Sequence, residues 1–309
     1  MTPAISVAGV SRRYRGTLAL DHVSFDIEPG SVTGLLGRNG AGKTTLLRVI
    51  AGQEFPTSGS VTVLGASPVT NDHLLHRMVF VREDQRYPDY GPPLGFTVRH
   101  ALRAASWFYP DWDSGLAAAL AADFSLLLDR RVMGLSRGMR SALGIVIGLA
   151  ARAEVTLFDE PYAGLDPVAR QLFYDRLLAD YAEHPRTVLL STHLIDEAAG
   201  LMERVVVIDR GQVVLDAAAD EVRGAATSVS GPAIAIAEFT AGRMVWDRRR
   251  IGSQESAVVS GALDDTDRAR ARALRLHLDP LSLQQVVVHA ASAAAASQPG
   301  TPARERTSA

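Results

Sequence analysis

The chain has 309 residues, with 32 basic and 34 acidic side chains and a formal charge of −2 at pH 7. A hydrophobic fraction of 47% can bury the core of one large domain or two ordinary ones, which excludes wholesale disorder. The lack of cysteine excludes a disulfide scaffold, a thiolate metal site and a cysteine nucleophile, and the balanced charge argues against a nucleic-acid partner.

Met1 to Val10 has no basic flank followed by an apolar run, so no signal peptide is expected. The most apolar stretch, Ala142 to Ala151, lies between Arg140 and Arg152. It is shorter than the roughly 20 residues of a membrane span. The expected location is the cytoplasm, with any membrane role dependent on another anchor.

Val23, Phe25 and Ile27 alternate with Ser24, Asp26 and Glu28, the period of a half-buried strand. Pro29-Gly30 turns the chain into a short strand, Val32 to Leu36, which Gly37 stops. Thr45 to Ile50 reads as a helix, and Val61 to Leu64 and Met78 to Val81 as strands. From Thr97 to about Ala150 the pattern is helical, broken at Pro110 and Gly134. Val155 to Phe158 and Thr187 to Leu190 are continuous apolar runs, as expected of parallel strands covered on both faces. Asp166 as N-cap and Pro167 at the first helical position open a helix between them. Leu194 to Glu203 is a further helix. Val205 to Ile208 and Val213 to Leu215 form a hairpin around Asp209-Arg210-Gly211-Gln212.

Strands alternating with helices predict an α/β domain that ends near Arg223-Gly224. Residues 224–290 read as a small α+β appendage. Ala233 to Thr240 and Arg243 to Trp246 are expected as strands there, and Asp279-Pro280 as the start of a short helix through His289. From Ala291 the chain is Ala, Ser, Pro and Gly with a few charges, and disorder is expected.

Gly37-Arg38-Asn39-Gly40-Ala41-Gly42-Lys43-Thr44 fits the phosphate-binding loop G-x-x-x-x-G-K-[ST], between a strand and a helix as that loop requires. Its glycines let successive backbone N–H groups turn inward, and the helix N-terminus adds positive potential. Lys43 reaches the β- and γ-phosphates, and the Thr44 hydroxyl can ligate Mg²⁺. Leu157-Phe158-Asp159-Glu160 is an apolar strand ending in two acids. At that strand end Asp159 can hold Mg²⁺ through water and Glu160 can orient a water at the γ-phosphate.

Leu135-Ser136-Arg137-Gly138-Met139 resembles the ABC signature Leu-Ser-Gly-Gly-Gln, and residues 1 to about 223 resemble the nucleotide-binding domain of an ABC transporter. The resemblance implies a P-loop NTPase fold of ABC type, with a mixed sheet core and a helical subdomain at about 97–150. It implies ATP and Mg²⁺ as ligands. Tyr14 would stack on adenine, and Gly37, Arg38, Asn39, Gly40, Ala41, Gly42, Lys43, Thr44 and Thr45 would hold the phosphates. Ser136 and Gly138 would close on the γ-phosphate of a second subunit, and Gly164-Leu165-Asp166 would communicate across that dimer. Glu160 is the implied base, Lys43 neutralises charge and His193 holds the γ-phosphate. Thr44 and Asp159 are metal-side residues. The family's Mg²⁺-ligating Gln falls at Glu83 by strand register, with Gln85 two residues on as the alternative. Arg137 and Met139 depart from the family's Gly and Gln; Arg137 either adds a cation at the phosphate or faces solvent.

Trp107, Phe108, Tyr109 and Trp112 cluster in the helical insertion; the resemblance implies a groove beside it where a membrane partner docks and which they would line, and core packing would equally account for them. Arg248-Arg249-Arg250 and the series Arg268, Arg270, Arg272 and Arg275 read as solvated faces, with anionic headgroups as the alternative. The implied function is the ATP-hydrolysing subunit of an ABC transporter. It would sit at the cytoplasmic face of the membrane through a transmembrane permease, in a homodimer or heterodimer, with export preferred. The alternatives are a soluble ABC-type ATPase without a membrane partner and a regulatory ATP-binding subunit.

Overall fold

The computed structural model describes residues 2–82, 85 and 95–289. Glu83 and the expected tail at 291–309 lie outside the described residues. The chain divides into two compact units between Ala219 and Asp220, a few residues before the boundary expected at 223.

The first unit opens with β1 (Ile5–Tyr14), β2 (Thr17–Ile27), β3 (Val32–Leu36), α1 (Lys43–Ile50), β4 (Ser58–Val63) and β5 (Met78–Arg82). The helical part follows as α2 (Val98–Phe108), α3 (Ser114–Asp123) and α4 (Arg137–Ala150). The unit continues with β6 (Val155–Asp159), α5 (Pro167–Glu183), β7 (Thr187–Thr192), α6 (Ile195–Ala198), β8 (Arg204–Asp209) and β9 (Gln212–Ala218). The helix expected over Leu194 to Glu203 is a single α-turn followed by a 3₁₀ turn, Ala199–Leu201.

Two sheets result. β2-β1-β4 is antiparallel, and β5-β6-β7-β3-β8-β9 is parallel except for the last pair. The side chains of α1 fill the space between them: Leu46, Leu47, Val49 and Ile50 are buried in one core with Ile5, Ile27, Leu157 and Leu189. Each such large side chain contributes about 1.5–3 kcal/mol on leaving water. On the other side, α4 crosses β5 and β6 closely. Gly148 makes room there, since a Cβ on it would lie 2.7 Å from Val81 Cγ2 and 2.9 Å from Phe158 Cε1. Strands β3, β7 and β6 are thereby adjacent, and their carboxyl ends face one region.

The second unit begins in α7 (Ala219–Arg223) and contains β10 (Ala226–Pro232), α8 (Ala233–Thr240), β11 (Val245–Ile251), β12 (Gln254–Ser260), α9 (Asp265–Ala273) and β13 (His277–Pro280). The antiparallel order β11-β12-β10-β13 is the split β-α-β arrangement of a ferredoxin-like sheet. Three local expectations are corrected. Ala233 to Thr240 is a helix: its buried residues, Ile236, Phe239 and Thr240, recur at helical spacing, and Ile234 is exposed. The strand expected at Arg243 to Trp246 starts at Val245 and runs through the arginine trio, where Arg248 pairs with Glu255 and Arg249 with Asp247. Asp279-Pro280 ends β13, and the helix covers 283–289. Ser282 opens that helix, accepting from the Gln285 N–H at 3.3 Å while the Gln285 side chain accepts from the Ser282 N–H at 2.9 Å.

Candidate functional site

The phosphate-loop sequence joins β3 to α1. Gly37, Gly40 and Gly42 all have positive φ, so the loop needs glycine at these turns. At Gly42, the helix N-cap, a Cβ would lie 2.7 Å from the Ala19 carbonyl oxygen. The first turn of α1 carries no acidic residue and Gly42 offers no capping side chain, so the helix N-terminus is left open to an anion.

Lys43 is the only lysine in the sequence and is buried. Its Nζ donates to the Gly37 and Arg38 carbonyls at 2.7 and 3.3 Å, and Glu160 Oε1 lies 3.8 Å away. Burial lowers the Lys43 pKa, against the opposing charges of Glu160 and Asp159.

Asp159 and Glu160 lie at the carboxyl end of β6. Burial raises the pKa of Asp159, and the neighbouring Thr44 and Ser191 hydroxyls oppose the shift. Its Oδ1 is buried without a hydrogen-bond partner among the described residues. Glu160 has φ +48°, an uncommon conformation for a residue with a side chain. Its backbone N–H donates to the Ser191 carbonyl at 3.2 Å, and its Oε2 meets His193 Nδ1 at 2.6 Å and accepts from the Tyr162 hydroxyl. His193 directly follows β7. The three adjacent strand ends thus deliver Lys43, Glu160 and His193 to one place.

They line a cavity of about 610 Å³ together with Asn39, Gly40, Gly42, Thr44, Thr45 and Tyr162. Arg137 and Gly164 also line it; Tyr14, Gly37, Arg38, Ala41, Ser136, Gly138 and Asp159 do not. Ser136 is the N-cap of α4, accepting from the Met139 N–H at 3.2 Å. Tyr14, the last residue of β1, is fixed by a hydrogen bond to Glu54, with the Arg12 guanidinium 4.6 Å from its ring centre. Gln85, three residues beyond β5, has its Oε1 buried without a hydrogen-bond partner among the described residues.

Sequence reading did not single out Tyr162 or Glu54. An aromatic after Glu160-Pro161 is the only sequence signal for the first, and nothing in the spacing ties Glu54 to Tyr14. Trp107 is 74% exposed and Phe108 40%, so neither belongs to the core. Among the described residues no helix is long and apolar enough to cross a membrane.

A glycine loop opening a helix, a lysine, a buried aspartate and a glutamate–histidine pair at adjacent parallel strand ends form an arrangement suited to phosphoryl chemistry. Residues 20–163 match the family model described as ABC transporter. The chain is 34% identical over 218 residues to the Nod factor export ATP-binding protein I of Rhizobium johnstonii, covering 69% of this chain and 68% of that one. It is 35% identical over 225 residues to the doxorubicin resistance ATP-binding protein DrrA of Mycobacterium tuberculosis, covering 71% and 67%. A solved ATP-binding subunit of an ABC transporter aligns with TM-score 0.63 and 25% identity, over 72% of this chain and 92% of the other. The cbiO1 protein of Clostridium perfringens, part of the cbiONQ transporter complex, aligns with TM-score 0.57 and 25% identity, over 72% and 91%. The chain belongs to the ABC transporter family of ATP-binding proteins. It is an ATPase with the P-loop fold of that family.

Proposed function

We propose that this chain powers export by hydrolysing ATP as one of two nucleotide-binding subunits on a separate transmembrane permease. The observation that carries the catalytic part is the meeting of Lys43, Glu160 and His193 in one cavity at the end of the phosphate loop. The loop amides and Lys43 bind the β- and γ-phosphates, and Tyr14 takes the adenine ring. Glu160 accepts the proton of a water as its oxygen bonds to the γ-phosphorus. The bond from that phosphorus to the bridging oxygen breaks, and ADP and phosphate result. His193 holds the γ-phosphate, and Ser136 and Gly138 serve the site of the second subunit.

The donor set suits Mg²⁺, which would neutralise charge on the phosphate oxygens. Asp159 offers a buried, unpartnered oxygen beside the Thr44 hydroxyl. The unpartnered Gln85 Oε1 favours Gln85 over Glu83 as the further metal-side residue. Exposed Trp107 and Phe108 suit docking to the permease, which would hold the chain at the cytoplasmic face of the membrane. The preference for export rests on relatives named for Nod factor export and doxorubicin resistance.

Turnover and assembly test this reading together. Glu160→Gln is expected to cut ATP turnover about 10²–10⁴-fold, while ATP binding persists and an ATP-dependent dimer accumulates. The chain is expected to sediment with membranes only when co-expressed with its multi-span partner. Undiminished turnover rejects the base, and partner-independent behaviour rejects the transporter assignment.

A further inference from the structure

Tyr162 stands between Glu160 and His193, the two groups assigned to the γ-phosphate. Its side chain is 3% exposed. Its hydroxyl meets Glu160 Oε2, Thr192 Oγ1 at 2.7 Å, His193 Nδ1 at 3.3 Å and the His193 backbone N–H at 3.2 Å, and the Nδ1 atom is itself closer to Glu160 Oε2, at 2.6 Å. Donor capacity fixes the direction of these bonds. The His193 N–H can only donate. Thr192 Oγ1 accepts from the Leu194 N–H at 2.9 Å, so its own hydrogen is available to the tyrosine. The single tyrosine hydrogen then goes to the carboxylate, which can only accept. Burial, with the Glu160 charge second, pushes the Tyr162 pKa up, so the hydroxyl stays a donor.

The two oxygens of Glu160 are therefore unequal. Oε2 takes the tyrosine hydrogen and faces His193 Nδ1 at 2.6 Å. Oε1 is buried without a hydrogen-bond partner among the described residues, 3.8 Å from Lys43 Nζ on the phosphate-loop side. We infer that Tyr162 is a positioning residue for hydrolysis, whose hydroxyl holds Oε2 so that Oε1 takes the proton of the attacking water. This rests on the reading of Glu160 as the base. The hydroxyl also accepts from the His193 backbone N–H, so one hydroxyl ties the carboxylate to the chain at His193 through two bonds. Without it His193 Nδ1 alone holds Oε2, the carboxylate is less firmly fixed about its soft terminal torsion, and a smaller fraction presents Oε1 to the water.

The test compares kcat and KM for ATP in the wild type, Tyr162→Phe, Glu160→Gln and the double variant. Rates are referred to ATP-binding sites counted by equilibrium titration, so a poorly folding variant lowers the count and not the rate per site. Tyr162→Phe is expected to lower kcat about 10- to 100-fold, the range for a hydrogen bond to a charged group, with KM unchanged. The double variant is expected to turn over no more slowly than Glu160→Gln alone. Wild-type kcat in Tyr162→Phe overturns the inference while a dead Glu160→Gln keeps the base. A further fall in the double variant also overturns it, because the tyrosine would then act apart from Glu160. Full turnover in Glu160→Gln overturns the base reading and the inference with it.

Discussion

Ser141 donates its hydroxyl to the Ala163 carbonyl oxygen across 2.6 Å. One turn earlier on α4, a Cβ on Gly138 would run into the Gly164 carbonyl oxygen. The signature end of α4 is thus packed on the loop that carries Glu160, Tyr162 and Gly164. Since backbone opposes backbone at Gly138, an added methyl can be accommodated only by moving the loop. Gly138→Ala is expected to destabilise the fold by about 1–3 kcal/mol, as overpacking does, and to reduce turnover. Ser141→Ala removes one hydrogen bond, costs about 1 kcal/mol and is expected to keep activity. Thermal midpoints with ATPase rates separate the two, and an unperturbed Gly138→Ala would break the link between helix and loop.

Lys43 is the one lysine among 32 basic residues, so an amine-selective reagent has a single side-chain target besides the chain terminus. Burial lowers its pKa and thereby enlarges the reactive neutral fraction at mildly alkaline pH. ATP is expected to slow modification of the Lys43 peptide, and turnover to fall in proportion to that modification. Mass spectrometry of the digested protein reads both. Modification at Lys43 that ATP leaves unchanged would place the nucleotide elsewhere.

Much of the first unit is legible in the sequence. The phosphate loop, the acid pair on β6 and His193 after β7 are local patterns next to continuous apolar runs, whereas the order that makes β3, β7 and β6 neighbours is seen only in the fold. Long-range choices were not legible. Ala233 to Thr240 alternates like a strand, yet the sheet β10–β13 needs a crossover helix at that point, and packing of Ile236 and Phe239 decided it. The aromatic after Glu160-Pro161 did not reveal the role of Tyr162, because that role depends on Thr192 and His193 from the next strand end, about thirty residues on. β12 and α9 were missed because their residues are mostly small or charged.

Asp180 on α5 shows what such distant partners contribute. It is buried, and its two oxygens meet Arg152 at 2.8 Å and Arg186 at 2.6 Å. Arg152 also binds Asp113, the N-cap of α3, at 2.9 Å. Removing Asp180 leaves the buried Arg186 guanidinium beside Arg152 without their shared carboxylate. Asp180→Ala is expected to cost about 3–5 kcal/mol, seen as a lowered denaturation midpoint. A loss below about 1 kcal/mol, the range of exposed pairs, would show that water reaches this cluster.

Asp159 sets a functional demand against stability. Its folded pKa is raised, chiefly by burial, above the usual aspartate value of 3.8. Between the unfolded and folded pKa values the native state holds more protons than the unfolded one, so stability falls as pH rises through that window. Above it the loss is complete and persists at neutral pH. An amide of the same shape carries no charge to desolvate. Asp159→Asn is therefore expected to raise the neutral-pH thermal midpoint of the nucleotide-free protein and to flatten its acid-side pH dependence. The same substitution is expected to weaken Mg²⁺-dependent turnover severely, because the amide keeps one oxygen but loses the carboxylate charge that would face the metal. Denaturation at several pH values, run beside ATPase assays across Mg²⁺ concentrations, measures both effects. A variant that loses stability at neutral pH would show that the attraction of Lys43 outweighs the burial of the carboxylate, so that the folded protein favours the charged aspartate after all.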